Sequence, residues 1–158
     1  MPAVKSELID RERRYGMSDE ALASAPTVFR DGLLEGQVFI ISGGGSGLGK
    51  AMAFLVTRLG GNVMICSRRE DKLATTAESI TSLVGREVAW QAMTIRDPEQ
   101  VETLMDTTYE RFGRLDVLVN NGGGQFPQAA IDFSDKGWKA VIDTNLNGTW
   151  YMMQRAAR

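Results

Sequence analysis

The chain has no histidine among its 158 residues, which excludes imidazole acid–base chemistry and most catalytic zinc sites. No metal site is expected. With a single cysteine, Cys66, no internal disulfide can form. Its place in an apolar stretch predicts a small buried core residue in a reducing compartment. Also absent are an apolar run of membrane-spanning length and the apolar core of a secretory signal. The first residues carry the acids Glu7, Asp10 and Glu12, unlike an acid-poor transit peptide, so a cytoplasmic location and no membrane partner are expected. No charge of one sign dominates: the net charge is −2 and no basic stripe runs along the chain, which argues against a nucleic-acid partner.

What is present is glycine in one place. Val38-Phe39-Ile40-Ile41 is an apolar run that ends in Ser42, and glycines follow at 43, 44, 45, 47 and 49. An amphipathic segment starts at once, with Leu48, Met52, Leu55, Val56 and Leu59 on one face of a 3.6-residue period. Strand, glycine turn and helix form the layout that receives the pyrophosphate of a dinucleotide. Turn N–H groups and the positive end of the helix meet the negative charge, and glycine lets the backbone approach closely. The general G-x-G-x-x-G spacing fails, because a start at Gly43 puts Leu48 at its last position. G-x-x-x-G-x-G fits, through Gly43, Gly47 and Gly49.

With 43% hydrophobic residues the chain can bury one core. Ser18-Asp19-Glu20 starts a short helix through Ala23, and the segment from Phe29 to Leu34 places an apolar residue or two beside the first strand. The arginines 11, 13 and 14 alternate with acids and read as a solvated extension. Gly60-Gly61 stop the first long helix, and Asn62 to Cys66 reads as a second buried strand. A helix from Arg69 to Val84 turns Leu73, Ala77, Ile80 and Leu83 or Val84 inward. Glu87 to Ala92 makes a third strand. Asp97-Pro98-Glu99-Gln100 predicts a helix start with Asp97 as N-cap and Gln100 closing a capping box. Val101, Leu104, Met105, Thr108 and Phe112 line its face, and Gly113 ends it. Asp116 to Asn120 is the fourth strand. Ser134 opens a last helix with Trp138, Val141, Ile142, Asn145, Leu146, Thr149 and Met153 inward. The alternation implies an α/β fold: a Rossmann-type, doubly wound parallel sheet of strand order 3-2-1-4.

The cofactor is predicted from the end of the second strand. An acid there would hold the ribose hydroxyls of NAD; this chain has Ser67-Arg68-Arg69 instead. A hydroxyl and a guanidinium fork suit a 2′-phosphate, so the expected cofactor is NADP(H).

Ser42 before the G-x-x-x-G-x-G turn resembles the classical short-chain dehydrogenase/reductase family, where a Thr or Ser precedes the first glycine. Carried over, the cofactor-binding residues are Ser42, Gly43, Gly45, Ser46, Gly47, Leu48, Gly49, Ser67, Arg68 and Arg69. Thr94-Ile95 stand where the family usually has Asp-Val beside the adenine, a departure in the first residue. Asn120-Asn121-Gly122-Gly123 resembles the family's Asn-Asn-Ala-Gly, which adds Asn121, Gly122 and Gly123. The segment from Thr144 to Thr149 resembles the helix that bears the catalytic asparagine, here Asn145. The resemblance runs from about Leu34 to Arg158. It implies residues 1–36 as an N-terminal extension and residues 37–158 as the NADP-binding domain. That domain is expected to be incomplete, truncated after the fourth strand and its helix. The family's Ser and Tyr-x-x-x-Lys would lie beyond the next strand; Tyr151 with Arg155 imitates the spacing without that strand, and arginine exchanges no proton.

The implied activity is an NADP(H)-dependent oxidoreductase passing a hydride to an enoyl-CoA-type or carbonyl substrate. Gly43 to Lys50 is similar to 2,4-dienoyl-CoA reductases, and Asn120 to Phe126 to peroxisomal-type trans-2-enoyl-CoA reductases. Both act in fatty acid metabolism, which makes an acyl-CoA the expected small-molecule partner. A homo-oligomer is the family's usual state. A terpenoid alcohol dehydrogenase of the same family and a non-catalytic nucleotide-binding fragment remain open alternatives.

Overall fold

A computed structural model describes residues 16–158 of the chain; the arginines 11, 13 and 14 lie outside them. The secondary-structure elements in order are α1 (Asp19–Ser24), β1 (Val38–Ser42), α2 (Gly47–Arg58), β2 (Asn62–Ser67), α3 (Glu70–Val84), β3 (Ala89–Ala92), α4 (Pro98–Phe112) and β4 (Val117–Val119). A single turn of 3-10 helix (Ala130–Asp132), α5 (Asp135–Ile142), a π turn (Asp143–Gly148) and α6 (Thr149–Ala156) complete it. The sheet is parallel throughout, in the order β3-β2-β1-β4 that the alternation of elements predicts. Ile40 pairs with Met64 on one side and Leu118 on the other.

β1 and β2 read as continuous apolar runs because helices cover both faces of the sheet. Phe39, Ile41, Val63 and Ile65 pack with Phe54 of α2 and with Leu73, Ala77 and Ile80 of α3. Ile40, Met64 and Cys66, the alternate residues, pack with Val101, Leu104 and Met105 of α4 and Met152 of α6. α1 docks on the outside of this frame. Asp19 accepts hydrogen bonds from Lys50 Nζ (2.7 Å) and Ser79 Oγ (2.6 Å), while Arg58 donates to the carbonyls of Leu22 (2.9 Å) and Ala25 (2.6 Å). Leu34 joins the first core cluster, whereas Phe29 stays largely exposed.

Several expectations are corrected. Leu48 is 79% exposed; the buried face of α2 is Ala53, Phe54, Val56 and Thr57. Of the two alternatives at the end of α3, Val84 is the one packed against the core, and Leu83 faces solvent, as the expectation allowed. β3 begins only at Ala89, so Glu87 lies outside it, and β4 is Val117–Val119 without its flanking Asp116 and Asn120. Asp97 does cap α4, accepting from the N–H groups of Glu99 (2.9 Å) and Gln100 (3.4 Å). The capping box does not close: Gln100 accepts instead from the Thr94 N–H (2.9 Å), tying the loop after β3 to α4. The expected last helix is interrupted by the π turn. One extra residue there rotates the downstream side chains by about 100° about the helix axis. Met152 is buried in place of Met153, and Trp138, Leu146 and Met153 are exposed.

Candidate functional site

From β1 the chain steps through β2 to β3 on one side and then returns to place β4 on the other side of β1, so the strand order reverses at β1. In such sheets the crevice beyond the carboxyl ends of the strands is where ligands bind. A cleft of about 610 Å³ opens there. It is lined by Gly43, Gly45, Ser46 and Leu48 from the glycine turn and by Ser67, Arg68 and Arg69 from the end of β2. Thr94 and Ile95 after β3, and Asn121, Gly122 and Gly123 after β4, complete the part foreseen from sequence. Ser42 and Gly49, both buried, lie behind this lining and shape it, whereas Gly47 is exposed at the start of α2 and does not line the cleft. Asn145 stands beside it, against the loop after β4. Cys66, Lys72, Met93, Arg96 and Thr144 also line the cleft and were not foreseen. Lys72 and Arg96 carried a readable signal, positive charge beside the ends of two neighbouring strands, but neither falls on a motif position.

The glycine turn is held from below by one buried hydroxyl. Ser42 is 1% exposed; its Oγ accepts from the N–H groups of Gly122 (2.8 Å) and Asn121 (3.1 Å) and donates to the Val119 carbonyl (3.3 Å). Asn121 returns the link, its Nδ2 donating to the carbonyls of Ser42 (2.9 Å) and Gly43 (3.4 Å). The ends of β1 and β4 are thereby locked into one floor. The close approach demands glycine: a Cβ at Gly49 would lie 2.6 Å from Asn121 Nδ2 and overlap the Gly43 carbonyl. Gly43 itself has φ +70°, a left-handed conformation that side chains resist.

Asn145 sits in the π turn, exposed rather than on an inward face, yet its amide is fully engaged. Oδ1 accepts from the Gly124 N–H (3.1 Å), and Nδ2 donates to the carbonyls of Gly124 (2.7 Å) and Val141 (2.9 Å). It staples the glycine loop after β4 to α5. A Cβ at Gly123 would fall 2.6 Å from Asn145 Oδ1, so glycine is needed for the staple. Next to it, Thr144 Oγ1 accepts from Arg96 Nε (2.5 Å) and donates to the Ala140 carbonyl (2.8 Å). The hydrogen bond from Lys139 holds the Asp143 carboxyl below the usual carboxylate range. Burial pushes the Cys66 thiol up to about 12, so it offers no thiolate to the cleft at neutral pH. Tyr151 and Arg155 are structural: the guanidinium lies 5.6 Å from the ring centroid and pairs with Glu102 of α4 at 3.0 Å.

The family model described as short chain dehydrogenase matches residues 37–158. The chain belongs to this family. It is 34% identical over 148 residues to the peroxisomal 2,4-dienoyl-CoA reductase of Danio rerio, covering 94% of this chain and 49% of that protein. To a probable 2,4-dienoyl-CoA reductase of Bacillus subtilis it is 39% identical over 125 residues, 79% of this chain and 49% of that one. Among solved structures, a citronellol catabolism dehydrogenase of Pseudomonas aeruginosa superposes with a TM-score of 0.78 at 37% identity, over 82% of this chain and 53% of the other. An alcohol dehydrogenase from the archaeon Thermococcus sibiricus, complexed with 5-hydroxy-NADP, gives 0.73 at 28% identity, over 77% and 52%. This short-chain dehydrogenase chain thus spans about half the length of the curated relatives it matches. Among its described residues no helix is long and apolar enough to cross a membrane.

Proposed function

We propose that the chain forms the NADP(H)-binding part of a reductase acting on an unsaturated acyl-CoA. The observation that carries the cofactor choice is the charge of the cleft. Arg68, Arg69, Lys72 and Arg96 line it and, among the described residues, no carboxylate does. None of the four has an ion-pair partner among the described residues. Arg68 and Arg69 stand directly before α3, where Arg69 provides no side-chain cap; the first-turn acids Glu70 and Asp71 suit the helix dipole but do not line the cleft. A bound polyanion meets the cations that do line it, and a 2′-phosphate adds the charge that NAD(H) lacks. Ser67, whose Oγ accepts from the Arg69 N–H (3.3 Å), takes the place where NAD-binding sites of this fold use an acid.

In this reading the glycine turn meets the pyrophosphate, Ser67 and Arg68 hold the 2′-phosphate, and Thr94 and Ile95 border the adenine. Asn121 keeps the turn in shape, and Asn145 is a positioning residue for the loop after β4. When bound, the cofactor supplies a hydride. A 2,4-dienoyl-CoA gains that hydride and one proton and becomes an enoyl-CoA. The acyl-CoA class is supported by the names of the two reductases above. A second reading, oxidation of a terpenoid alcohol, is favoured by the likeness to the citronellol catabolism dehydrogenase.

Binding tests the cofactor choice first. Arg68→Ala removes a charge-assisted contact of ~1.5–3 kcal/mol and is expected to weaken NADPH about 10- to 100-fold while NADH stays within about twofold. Equal losses for the two would overturn the phosphate role. For the substrate, the protein isolated from its source is expected to consume NADPH with a 2,4-dienoyl-CoA; turnover of citronellol alone would establish the second reading instead.

A further inference from the structure

We propose that Lys72 is a specificity-determining residue that completes the 2′-phosphate site together with Ser67 and Arg68, an inference that rests on the NADP(H) reading above. Its position is fixed from the other side of the cleft. Thr76, buried one turn further along α3, donates its Oγ1 to the Gly45 carbonyl at 3.2 Å. Gly45 in turn abuts the first turn of α3: a Cβ there would stand 3.2 Å from Lys72 Cβ and from Leu73 N. The glycine turn and α3 are therefore pinned together at two points, with Lys72 at the contact. That places it between the turn and the Ser67–Arg69 end of β2, along the span an adenosine 2′,5′-diphosphate must bridge.

The chemistry of the neighbourhood leaves Lys72 without another task. Glu70 and Asp71 share its turn, but neither lines the cleft. No carboxylate comes within ion-pair distance of its ammonium among the described residues. Four positions before it stands Arg68, a like charge, and four after it the neutral Thr76. An ammonium on a flexible stem presents three rotatable donors, where Arg68 offers a rigid planar fork. The two are complementary around a phosphate dianion: the fork fixes its orientation and the ammonium adds charge from the glycine-turn side.

The test uses two probes that differ only in the 2′-phosphate, adenosine 2′,5′-diphosphate and 5′-AMP. Their dissociation constants are measured by calorimetry for the wild type, Lys72→Gln, Lys72→Arg and Arg68→Ala. For Lys72→Gln, adenosine 2′,5′-diphosphate is expected to bind about fivefold more weakly, one charge contact at a solvated site, with 5′-AMP within about twofold. Lys72→Arg, which keeps the charge, is expected to retain most of the affinity. Unchanged 5′-AMP binding also reports that the variants are folded. A full preference for the diphosphate in Lys72→Gln, lost in Arg68→Ala, would overturn the role of Lys72 and leave the NADP(H) reading standing. Equal weakening of both probes would overturn it by placing Lys72 on another part of the ligand. A wild type without preference would remove the NADP(H) reading and this inference together.

Discussion

Replacing Ser42 by alanine isolates the buried hydroxyl on which the floor of the cleft depends. Three hydrogen bonds end on that oxygen, but their losses are unequal. The Asn121 N–H keeps a second acceptor, the Val119 carbonyl at 3.0 Å. The Gly122 N–H, at 2.8 Å from Ser42 Oγ, has no such alternative among the described residues and is orphaned in a half-buried position. An unsatisfied buried donor costs ~1–3 kcal/mol, and a value of ~2 lowers the folding equilibrium constant roughly 30-fold. With an m value of ~2 kcal/mol/M, the urea midpoint is expected to fall by about 1 M at unchanged slope. Asn121→Ala removes the return link to Ser42 and Gly43, so the double variant is expected to be non-additive by ~0.5–3 kcal/mol. The assay is equilibrium urea unfolding of the four chains, followed by tryptophan fluorescence. A midpoint for Ser42→Ala within about 0.2 M of the wild type would refute the reasoning, because a shift of ~0.4 kcal/mol is too small for an orphaned donor.

Three further outcomes are expected, one at Gly49 and two at Cys66. Gly49→Ala drives a Cβ into the Gly43 carbonyl and to 2.6 Å from Asn121 Nδ2, so the turn must open. Loss of both NADPH and NADH binding is expected in calorimetry, and retention of either at wild-type strength would contradict the packing. Cys66, held near a pKa of about 12 by burial, is expected to resist a disulfide exchange reagent at pH 8 in the folded protein and to react once urea unfolds it. Above the ordinary thiol pKa the unfolded chain releases this proton and the folded chain keeps it, so stability falls as pH rises from 9 towards 12. Rapid native-state labelling would show that the thiol is not enclosed.

The sheet was legible because β1 and β2 are buried on both faces, and a strand between two helical layers must be apolar at every position. Cap chemistry was legible for the same local reason. Asp97 and Ser134 place a carboxylate or hydroxyl against free N–H groups, and Gly113 ends α4 with φ +73°. The inward face after Ser134 was not legible. A π turn leaves no mark in a hydrophobic period, so a strict 3.6 repeat carried through Asn145 selects Leu146 and Met153 instead of Gly148 and Met152. Leu48 failed differently: it lies on the apolar stripe by arithmetic, but the first turn of α2 overhangs the cleft, where no core exists to receive it. Lys72 and Arg96 escaped because a motif fixes backbone positions, whereas these two converge on the cleft only through the packing of α3 on Gly45 and the Arg96–Thr144 bond.

The site divides by the physical cost of changing it. Ser42, Gly43, Gly49 and Asn121 sit in one connected network that joins the ends of β1 and β4, so a change there alters the fold and the turn together. No substitution among them can test ligand recognition alone. Arg68, Arg69 and Lys72 are exposed, carry no carboxylate partner among the described residues and stand at the start of α3. Their substitution costs the folded chain little, since exposed charges contribute ~0–1 kcal/mol even when paired. Under the proposed NADP(H) reading, shape recognition of a dinucleotide is thus bound to stability, while discrimination between its phosphorylated and unphosphorylated forms is not. On that reading a change of cofactor preference is expected from replacing the exposed cations, with the buried network keeping the turn in shape for either cofactor.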